Sequence, residues 1–384
     1  MEINNQNNNL RPRKNMAINS SHQRKSVNSS RSKSRNDISK NVNHEYSAQE
    51  ILDQYSRNNP NYNSSKSRKK KRTAVVLYII AALCLIIATM AGIAQMYLNS
   101  LDNTIQGGKT SQQIMDITDE LAPVRSYREP FYVMLLGSDA RPGQSFTGTR
   151  SDTNILVRID PVKCIVTMIS IPRDTEINLD GYGLQKFNAA YAYEGIPGVI
   201  RETKDLANVD INHYVEISFE NLVNLVDAIG GVEVDVPEII SDPDAGDIVI
   251  QAGLQTLDGQ SALVFARSRA YADGDFTRTS NQRLLVEAVI KKTLALPLLE
   301  IPGAVQALAE CVSTDMSIAT IVELALQFKD IGELQIYSAM VPSSFGTLGV
   351  VTDHILLQQM IDLMEQGKDP NLALDPNAII DPDA

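Results

Sequence analysis

One uncharged segment, residues 73–94, constrains this chain more than any other feature. A helix of 22 residues is about 33 Å long, which matches the roughly 30 Å hydrocarbon core of a bilayer. The basic run SRKKKR (67–72) lies directly before it, and such an excess of Lys and Arg marks the cytoplasmic flank. A cleaved signal peptide is disfavoured, because the apolar run is long, starts late in the chain and precedes no clear Ala-x-Ala site. The sequence predicts a single-pass membrane protein with a cytoplasmic N-terminus and an extracytoplasmic remainder.

The charge of the chain is divided unevenly. Residues 1–72 contain 16 Lys and Arg against 5 Asp and Glu, a net charge of +11, whereas the remainder carries −22. The basic part is rich in Asn and Ser and has almost no apolar periodicity, so we expect it to be disordered. Such a tail can bind nucleic acid or acidic lipid, or it is a solvated segment that fixes topology. No folded nucleic-acid reader is evident, so we expect no nucleic-acid partner.

The pattern beyond the span indicates an α/β domain. Short apolar strands such as 131–136, 164–171 and 232–236 alternate with helical patterns such as 188–193, 199–207, 219–229 and 277–294. This alternation predicts a sheet covered by helices on both faces. We divide the chain into a disordered basic cytoplasmic tail (1–72), a transmembrane helix (73–97), an extracytoplasmic stalk or linker (98–127), a globular domain (128–345) and a C-terminal helix with an acidic tail (346–384).

Two carboxylates flank one polar loop. Asp139 follows the strand 131–136, and Asp152 precedes the next strand. Ligands of open α/β sheets bind at the carboxyl ends of strands. Mg²⁺ accepts one or two protein carboxylates and leaves positions for phosphate and water. Asp139 alone is better explained as the cap of a turn, but together with Asp152 it makes a Mg²⁺ site a hypothesis.

Arg173 follows Pro172 at the end of the strand 164–171, so we expect its side chain at the same edge as Asp139. Guanidinium groups bind phosphate oxygens in bidentate fashion. The alternative is a surface arginine paired with Asp174.

Further arginines cluster later in the chain. Arg267 and Arg269 are two positions apart and face the same side if the segment is extended. Arg278 lies in the first turn of the next helix, where backbone N–H groups favour anions, and Gln282 follows one turn on. We interpret this group as an anion site; the alternative is salt bridges to Asp273 and Asp275.

Other catalytic signatures are missing from the sequence: there is no Gly-x-Ser-x-Gly elbow, zinc-ligand spacing or Walker loop. Cys164 and Cys311 lie in apolar stretches and are expected to be buried thiols, with a disulfide as the alternative.

Taken in order, the motifs resemble those of one known family. They are LLGSDAR (135–141), TRSDTNILV (149–157), SIPRDT (170–175), KFNAAYAYEG (186–195), VDAIGGVEVDVP (226–237), ALVFARSR (262–269) and DGDFTRTSNQR (273–283). In sequence and spacing this chain resembles the LytR-CpsA-Psr (LCP) proteins of Gram-positive cell envelopes.

The resemblance implies a three-layer α-β-α domain with a mixed central sheet, preceded by one transmembrane helix. It implies that Asp139 and Asp152 bind Mg²⁺ and act in catalysis together with Arg173, Arg267 and Arg269. The implied pyrophosphate-binding residues are Arg173, Arg267, Arg269, Arg278 and Gln282, with Arg141 and Lys186 as further candidates. Asn281 stands where family members often have an arginine, so one auxiliary positive charge is in doubt.

The implied reaction is phosphoryl transfer. An anionic glycopolymer, a teichoic acid or capsular polysaccharide, would move from an undecaprenyl-pyrophosphate carrier to the C6 hydroxyl of N-acetylmuramic acid in peptidoglycan, forming a phosphodiester. The partners would be this lipid-linked glycopolymer, peptidoglycan and membrane lipid. Asp139 or Asp174 would take the hydroxyl proton.

The lipid tail would need an apolar tunnel, for which the helices at 199–207, 222–229 and 284–294 are candidates, the alternative being ordinary core. The competing functions are a pyrophosphate hydrolase, a non-catalytic carrier binder and a transcriptional regulator.

Overall fold

The computed structural model describes residues 47, 48, 50, 52, 60–106, 108–139, 149–273, 275–297, 300–331 and 334–375. Two units are distinguished, Met1–Ala81 and Ala82–Ala384, with their boundary inside the first helix, α1 (Pro60–Ile105). Within the described chain, α1 contains one stretch that is long and apolar enough to cross a membrane, Val76–Ile105. The predicted membrane span is thus confirmed as a candidate span. The prediction of a disordered tail is wrong for residues 60–72, which are helical and begin α1, whereas the residues before 47 and after 375 lie outside the described part of the chain.

A mixed sheet forms the centre of the second unit. Its strands are β1 (Phe131–Ser138), β2 (Ser151–Asp160), β3 (Ile165–Ser170), β6 (His213–Ser218), β9 (Val312–Thr314) and β10 (Gln335–Met340). Their order is β10-β3-β2-β1-β6-β9. Strand β2 is antiparallel to β1 and β3, β6 is parallel to β1, β10 is parallel to β3, and β9 is antiparallel to β6. The carboxyl ends of β1, β3, β6 and β10 therefore share one edge, and the prediction of a mixed sheet is confirmed.

Short two-stranded ribbons extend from this sheet. They pair β4 (Glu176–Leu179) with β5 (Gly183–Lys186), β7 (Val232–Val236) with β8 (Gly253–Leu257), and β11 (Ser343–Phe345) with β12 (Val350–Thr352).

Helices cover both faces of the sheet. One face carries α2 (Ser111–Glu120), α3 (Phe187–Ala207) and α9 (His354–Gln366), followed by a short 3-10 helix (Pro370–Leu374); the other carries α4 (Phe219–Ala228), α5 (Gly259–Arg267), α6 (Asp275–Ala295), α7 (Ile301–Cys311) and α8 (Ile318–Ile331). Successive side chains of a strand point to opposite faces. Met134 and Leu136 of β1 accordingly pack under the first group of helices, whereas Val133 packs under the second. The predicted three-layer α-β-α architecture is confirmed.

The two helices predicted at 188–193 and 199–207 correspond to the two parts of α3, which meet at a kink. The structure has one element, kinked at Gly195, whose φ of 68° and ψ of −150° are not helical. Pro197 lies two residues later and lacks the N–H that an uninterrupted helix needs. Glycine adopts the required positive φ without a Cβ clash, so the chain bends there and continues.

The segment assigned to a stalk, residues 98–127, is packed against the domain. Leu101 and Ile105 at the end of α1 are buried with Ala309 and Ile318. Ile117 of α2 belongs to the core beneath α3 and α9. The segment therefore contributes to the hydrophobic core and does not extend freely into solvent.

Candidate functional site

A polar cavity of about 420 Å³ opens at the carboxyl edge of the sheet. Six side chains singled out in the sequence line it: Asp139, Asp152, Arg267, Arg269, Arg278 and Gln282. Asp139 follows β1, Asp152 begins β2, and the other four lie at the end of α5, just beyond it and in the first turns of α6. Residues far apart in the chain meet here because the strand ends and helix ends converge on one edge.

Arg173 faces Asp152, not Asp174. Its Nη1 donates a hydrogen bond of 2.9 Å to Asp152 Oδ1, and its Nε lies 3.5 Å from Asp275 Oδ1. Burial works to lower the pKa of Arg173, but the hydrogen bond and charge of Asp152 and the charge of Asp275 outweigh it and raise that pKa. Arg173 is thus held in its charged form beside the cavity.

Asp275 connects three arginines. Its carboxylate lies 2.9 Å from Arg278, 3.5 Å from Arg173 and 3.6 Å from Arg269. The salt-bridge alternative drawn from the sequence therefore holds for Asp275, whereas Asp273 accepts the backbone N–H of Thr277. Asp275 also occupies the first turn of α6, where a negative charge is favoured by the helix dipole.

The arginines nevertheless retain capacity for an anion. Arg278 is 2% exposed, and burial, partly offset by Asp275, lowers its pKa to about 10. The buried Nε atoms of Arg173 and Arg278 have no hydrogen-bond partner. Unsatisfied buried donors cost free energy, and phosphate oxygens are acceptors that remove this cost. The four arginines lie among carboxylates, because Asp139, Asp152, Asp242 and Asp244 line the same cavity and Asp275 adjoins it, so a phosphate would meet guanidinium donors in a wall of mixed charge.

Asp139 ties together the two ends of a loop. Its Oδ1 accepts a 2.8 Å hydrogen bond from the backbone N–H of Arg150, and its own N–H donates to the Arg150 carbonyl at 3.3 Å. The intervening residues 140–148, including the candidate Arg141, lie outside the described part of the chain.

Asp139 and Asp152 are suited to a metal only together with a ligand. In the described part of the chain no group of three or more His, Cys, Asp or Glu side chains is arranged to hold a metal. Two carboxylates lining one cavity nevertheless fit the donor preference of Mg²⁺, which completes its octahedron with phosphate and water oxygens. The residues present are therefore compatible with a Mg²⁺ ion that binds with a phosphate ligand.

The remaining candidates occupy distinct positions. Arg267 lies over the ring of Phe219, with 5.2 Å between the guanidinium carbon and the ring centroid. Gln282 donates to the Ala266 carbonyl at 3.2 Å and lines the cavity. Lys186 instead pairs with Asp174 at 3.0 Å and does not contribute to the described cavity wall.

Asp242 was not found from the sequence. It is buried, its Oδ2 accepts hydrogen bonds from Ser268 Oγ at 2.9 Å and from the Arg269 backbone N–H at 2.8 Å, and it lines the cavity. The Arg269 N–H contributes most to lowering the pKa of Asp242, so the carboxylate stays charged. It fixes the backbone between Arg267 and Arg269. Asp242 lies 26 and 27 positions before Ser268 and Arg269, so no local sequence pattern connects it with the residues that it binds.

An apolar cavity of about 250 Å³ adjoins the polar one. The two share Phe219, Ala266 and Gln282. The apolar wall comes from β1, β2, β6, α4 and α6, including Leu222 and Val286. The tunnel prediction thus agrees with this wall for the helices at 222–229 and 284–294. It is wrong for 199–207, which packs into the core on the opposite face of the sheet.

Fold and site together define an α/β protein with one candidate membrane span and an arginine-lined polar pocket beside an apolar cavity, a combination suited to amphiphilic phosphate ligands. The LytR_cpsA_psr family model matches residues 93–367, and the chain belongs to this family.

Named relatives agree with this assignment. The polyisoprenyl-teichoic acid–peptidoglycan teichoic acid transferase TagU of Enterococcus faecalis is 32% identical over 273 residues, which cover 68% of this chain and 85% of that protein. The corresponding transferase TagT of Bacillus subtilis is 30% identical over 61% of this chain and 75% of that protein. The crystal structure of B. subtilis TagV superposes with a TM-score of 0.55 at 25% identity, covering 63% of this chain and 98% of that one.

Proposed function

We propose that this protein transfers an anionic glycopolymer, a teichoic acid or a capsular polysaccharide, from an undecaprenyl-pyrophosphate carrier to peptidoglycan. The similar proteins from E. faecalis and B. subtilis are named as transferases of this kind. The structural observation that carries the proposal is the shared wall of the two cavities, because one ligand with a charged head and an apolar tail can occupy both. The basic flank at 67–72 supports a cytoplasmic N-terminus and a domain on the side where peptidoglycan lies.

The proposed reaction is a single phosphoryl transfer. The oxygen of the C6 hydroxyl of N-acetylmuramic acid attacks the phosphorus that carries the glycopolymer. A new P–O bond forms the phosphodiester, the bond from that phosphorus to the bridging oxygen breaks, and undecaprenyl phosphate leaves with the bonding electron pair. The hydroxyl proton passes to a carboxylate. Asp139 is the better candidate for this role, since it lines the cavity whereas Asp174 is paired with Lys186.

The arginines stabilise charge on the pyrophosphate. Phosphoryl transfer depends on positioning and on neutralising the charge of the transferring and leaving groups. Arg269 and Arg278 line the cavity, and Arg173 lies beside it, each held by a carboxylate that fixes its direction. Prior orientation by Asp152 and Asp275 reduces the reorganisation needed when the ligand enters. Mg²⁺, if held by Asp139 and Asp152, would supply further neutralisation of the phosphate oxygens.

The test uses the full-length protein in lipid nanodiscs with Mg²⁺, a synthetic undecaprenyl-pyrophosphate glycan and peptidoglycan oligomers, followed by mass spectrometry. We expect a covalent glycan–phosphate–peptidoglycan adduct from the wild type. Arg267→Ala and Arg269→Ala should each lower its rate by about 100-fold with the fold intact, because each removes a charge-stabilising donor. Arg128→Ala removes an exposed arginine that does not line the described cavity and serves as the matched control.

The products separate the competing functions. Free glycan phosphate without an adduct would replace the proposal with a hydrolase. Retained lipid with neither product would leave a carrier-binding protein. Normal turnover in Arg269→Ala would remove that residue from the site.

A further inference from the structure

Two exposed tyrosines stack on each other outside the cavities described above. Tyr182 lies in the turn between β4 and β5, and Tyr193 lies in α3. Their ring centroids are 4.2 Å apart and the ring planes differ by 18°. Tyr182 is 47% exposed and Tyr193 is 49% exposed. These two residues, called the tyrosine pair below, expose aromatic surface to solvent instead of burying it in the core.

The backbone of the turn that contains Tyr182 fixes the exposed position of this residue. Gly181 and Gly183 flank it with φ values of +76° and +72°, a conformation that glycine adopts readily. The Tyr182 N–H donates to the Leu179 carbonyl at 3.0 Å, and Leu179 is itself buried in the core. The ring is therefore held on an anchored hairpin, and its exposure follows from the backbone.

Both tyrosines lie on elements that lead to the polar cavity. Strand β5 ends at Lys186, which pairs with Asp174 next to Arg173, so Tyr182 is four residues, or roughly 13 Å, from this rim. Tyr193 follows Tyr191 by two residues in α3. The hydroxyl of Tyr191 bonds to Glu216, and its ring is near enough to Asp139 to sense that carboxylate. Residues two apart on a helix point to different sides, so Tyr193 is connected to the site through its stacking on Tyr182, which places the pair roughly 13 Å along the strand from the rim.

The charge around the pair argues against the anionic donor polymer. Asp180 and Glu194 are close in the chain to the two tyrosines, and both interact electrostatically with Glu202. Burial, together with neighbouring carboxylates, raises the pKa of Glu202 to about 7. Arg201 offsets part of this charge through its 2.8 Å ion pair with Glu194. An acidic surrounding repels a polyanion, whereas the uncharged face of a sugar ring is not affected.

We propose that the tyrosine pair is a binding subsite for the glycan strand of the acceptor, on which sugar rings stack with their C–H faces. The proposal rests on the proposed function, because it concerns the second substrate of the same reaction. Aromatic side chains supply apolar contact area at low entropic cost and leave a hydroxyl for polar contacts. The anionic head and the lipid tail of the donor already have the arginine-lined polar cavity and the apolar cavity, so an additional aromatic platform suits the acceptor.

The test measures acceptor and donor separately, with full-length protein in nanodiscs. Tyr182→Ala and Tyr193→Ala should each raise KM for peptidoglycan oligomers about ten-fold, with kcat unchanged. The affinity for geranylgeranyl pyrophosphate, a short polyprenyl pyrophosphate that stands in for the donor lipid, should also be unchanged. Tyr182→Phe and Tyr193→Phe keep the stacking ring and should behave like the wild type. Leu254→Ala, which trims an exposed apolar side chain of β8, controls for loss of surface area alone.

Direct binding of an uncharged N-acetylglucosamine oligomer, followed by NMR, separates this inference from the proposed function. Weaker binding in the alanine variants supports the subsite, even if the wild type forms no adduct. An unchanged KM together with unchanged oligomer binding would overturn it. Loss of geranylgeranyl pyrophosphate affinity in the alanine variants would also overturn it, because the pair would then serve the donor.

Discussion

Replacing Arg278 by methionine should stabilise the fold and weaken phosphate binding at the same time. The Arg278 guanidinium is almost fully buried, at 2% exposure, and its pKa is lowered to about 10 from 12.5. One pKa unit corresponds to about 1.4 kcal/mol, so keeping this group charged costs about 3 kcal/mol in the native state. Methionine has a comparable side-chain volume and no charge to desolvate.

The substitution does not leave a partner carboxylate isolated. Asp275 loses its 2.9 Å contact with Arg278 but keeps Arg173 at 3.5 Å and Arg269 at 3.6 Å. Replacing a buried charge by an apolar group of similar volume is often stabilising when no unpaired ion remains. We expect the free energy of unfolding to rise by about 1–2 kcal/mol. For a domain of this size, each kcal/mol raises Tm by about 2–4 °C.

Binding should change in the opposite direction. A hydrogen bond to a charged group contributes about 1.5–3 kcal/mol, so the affinity for geranylgeranyl pyrophosphate should fall about 10- to 150-fold. Calorimetric titration and thermal unfolding of the full-length protein in nanodiscs measure both quantities on one sample.

Arg283→Met is the matched control. Arg283 lies on the same helix, is buried, and its pKa is also lowered to about 10 by burial. Its Nε donates to Ser338 Oγ at 2.7 Å, and it does not line the described cavity. Ligand affinity should therefore stay within about two-fold of the wild type. If Arg278→Met destabilises the protein and leaves affinity unchanged, Arg278 is a structural ion-pair residue and the reasoning fails.

Three further outcomes are expected. Burial raises the pKa of Glu202 from 4.5 to about 7, so between these pH values the native state binds a proton that the unfolded state does not. The free energy of unfolding should therefore fall as the pH rises from 5 to 8. Glu202→Gln should reduce this pH dependence when unfolding is measured at pH 5 and at pH 8. Lys109→Met removes the ion-pair partner of the largely buried Glu216, 3.0 Å away, and should lower the free energy of unfolding by about 2–3 kcal/mol. Lys291→Met breaks an exposed helical ion pair and should lower it by less than about 0.5 kcal/mol. Equal losses of stability in the two variants would contradict this prediction. Val286→Trp narrows the apolar cavity and should weaken the binding of geranylgeranyl pyrophosphate at least about ten-fold, with the affinity for inorganic pyrophosphate unchanged. An equal loss of affinity for both ligands would show that this cavity does not hold the lipid tail.

Sequence patterns located most of the elements that build the site. The strand predicted at 232–236 matches β7, and the helix predicted at 277–294 lies within α6. These predictions succeed because the periods of strands and helices are local properties. The break predicted within α3 also has a local cause, since Gly195 and Pro197 both interrupt a regular helix.

The site was only partly accessible in this way. Asp139, Asp152, Arg267, Arg269, Arg278 and Gln282 were found from the sequence, and the structure brings them to one cavity. The position of Lys186, bound to Asp174, was not predictable, because it depends on how the β4–β5 ribbon closes. The binding roles of these residues remain predictions.

The sequence by itself determined the candidate membrane span, the α/β alternation and the chemical character of the site, because these depend on residue type and short-range spacing. Only the tertiary structure decided which charges meet. Asp242 reaches the Arg269 backbone across 27 positions, and Lys109 reaches Glu216 across 107. It also decided that residues 98–127 join the core and that the polar and apolar cavities share a wall. Such contacts depend on how strands are ordered in the sheet, and local periodicity does not specify that order.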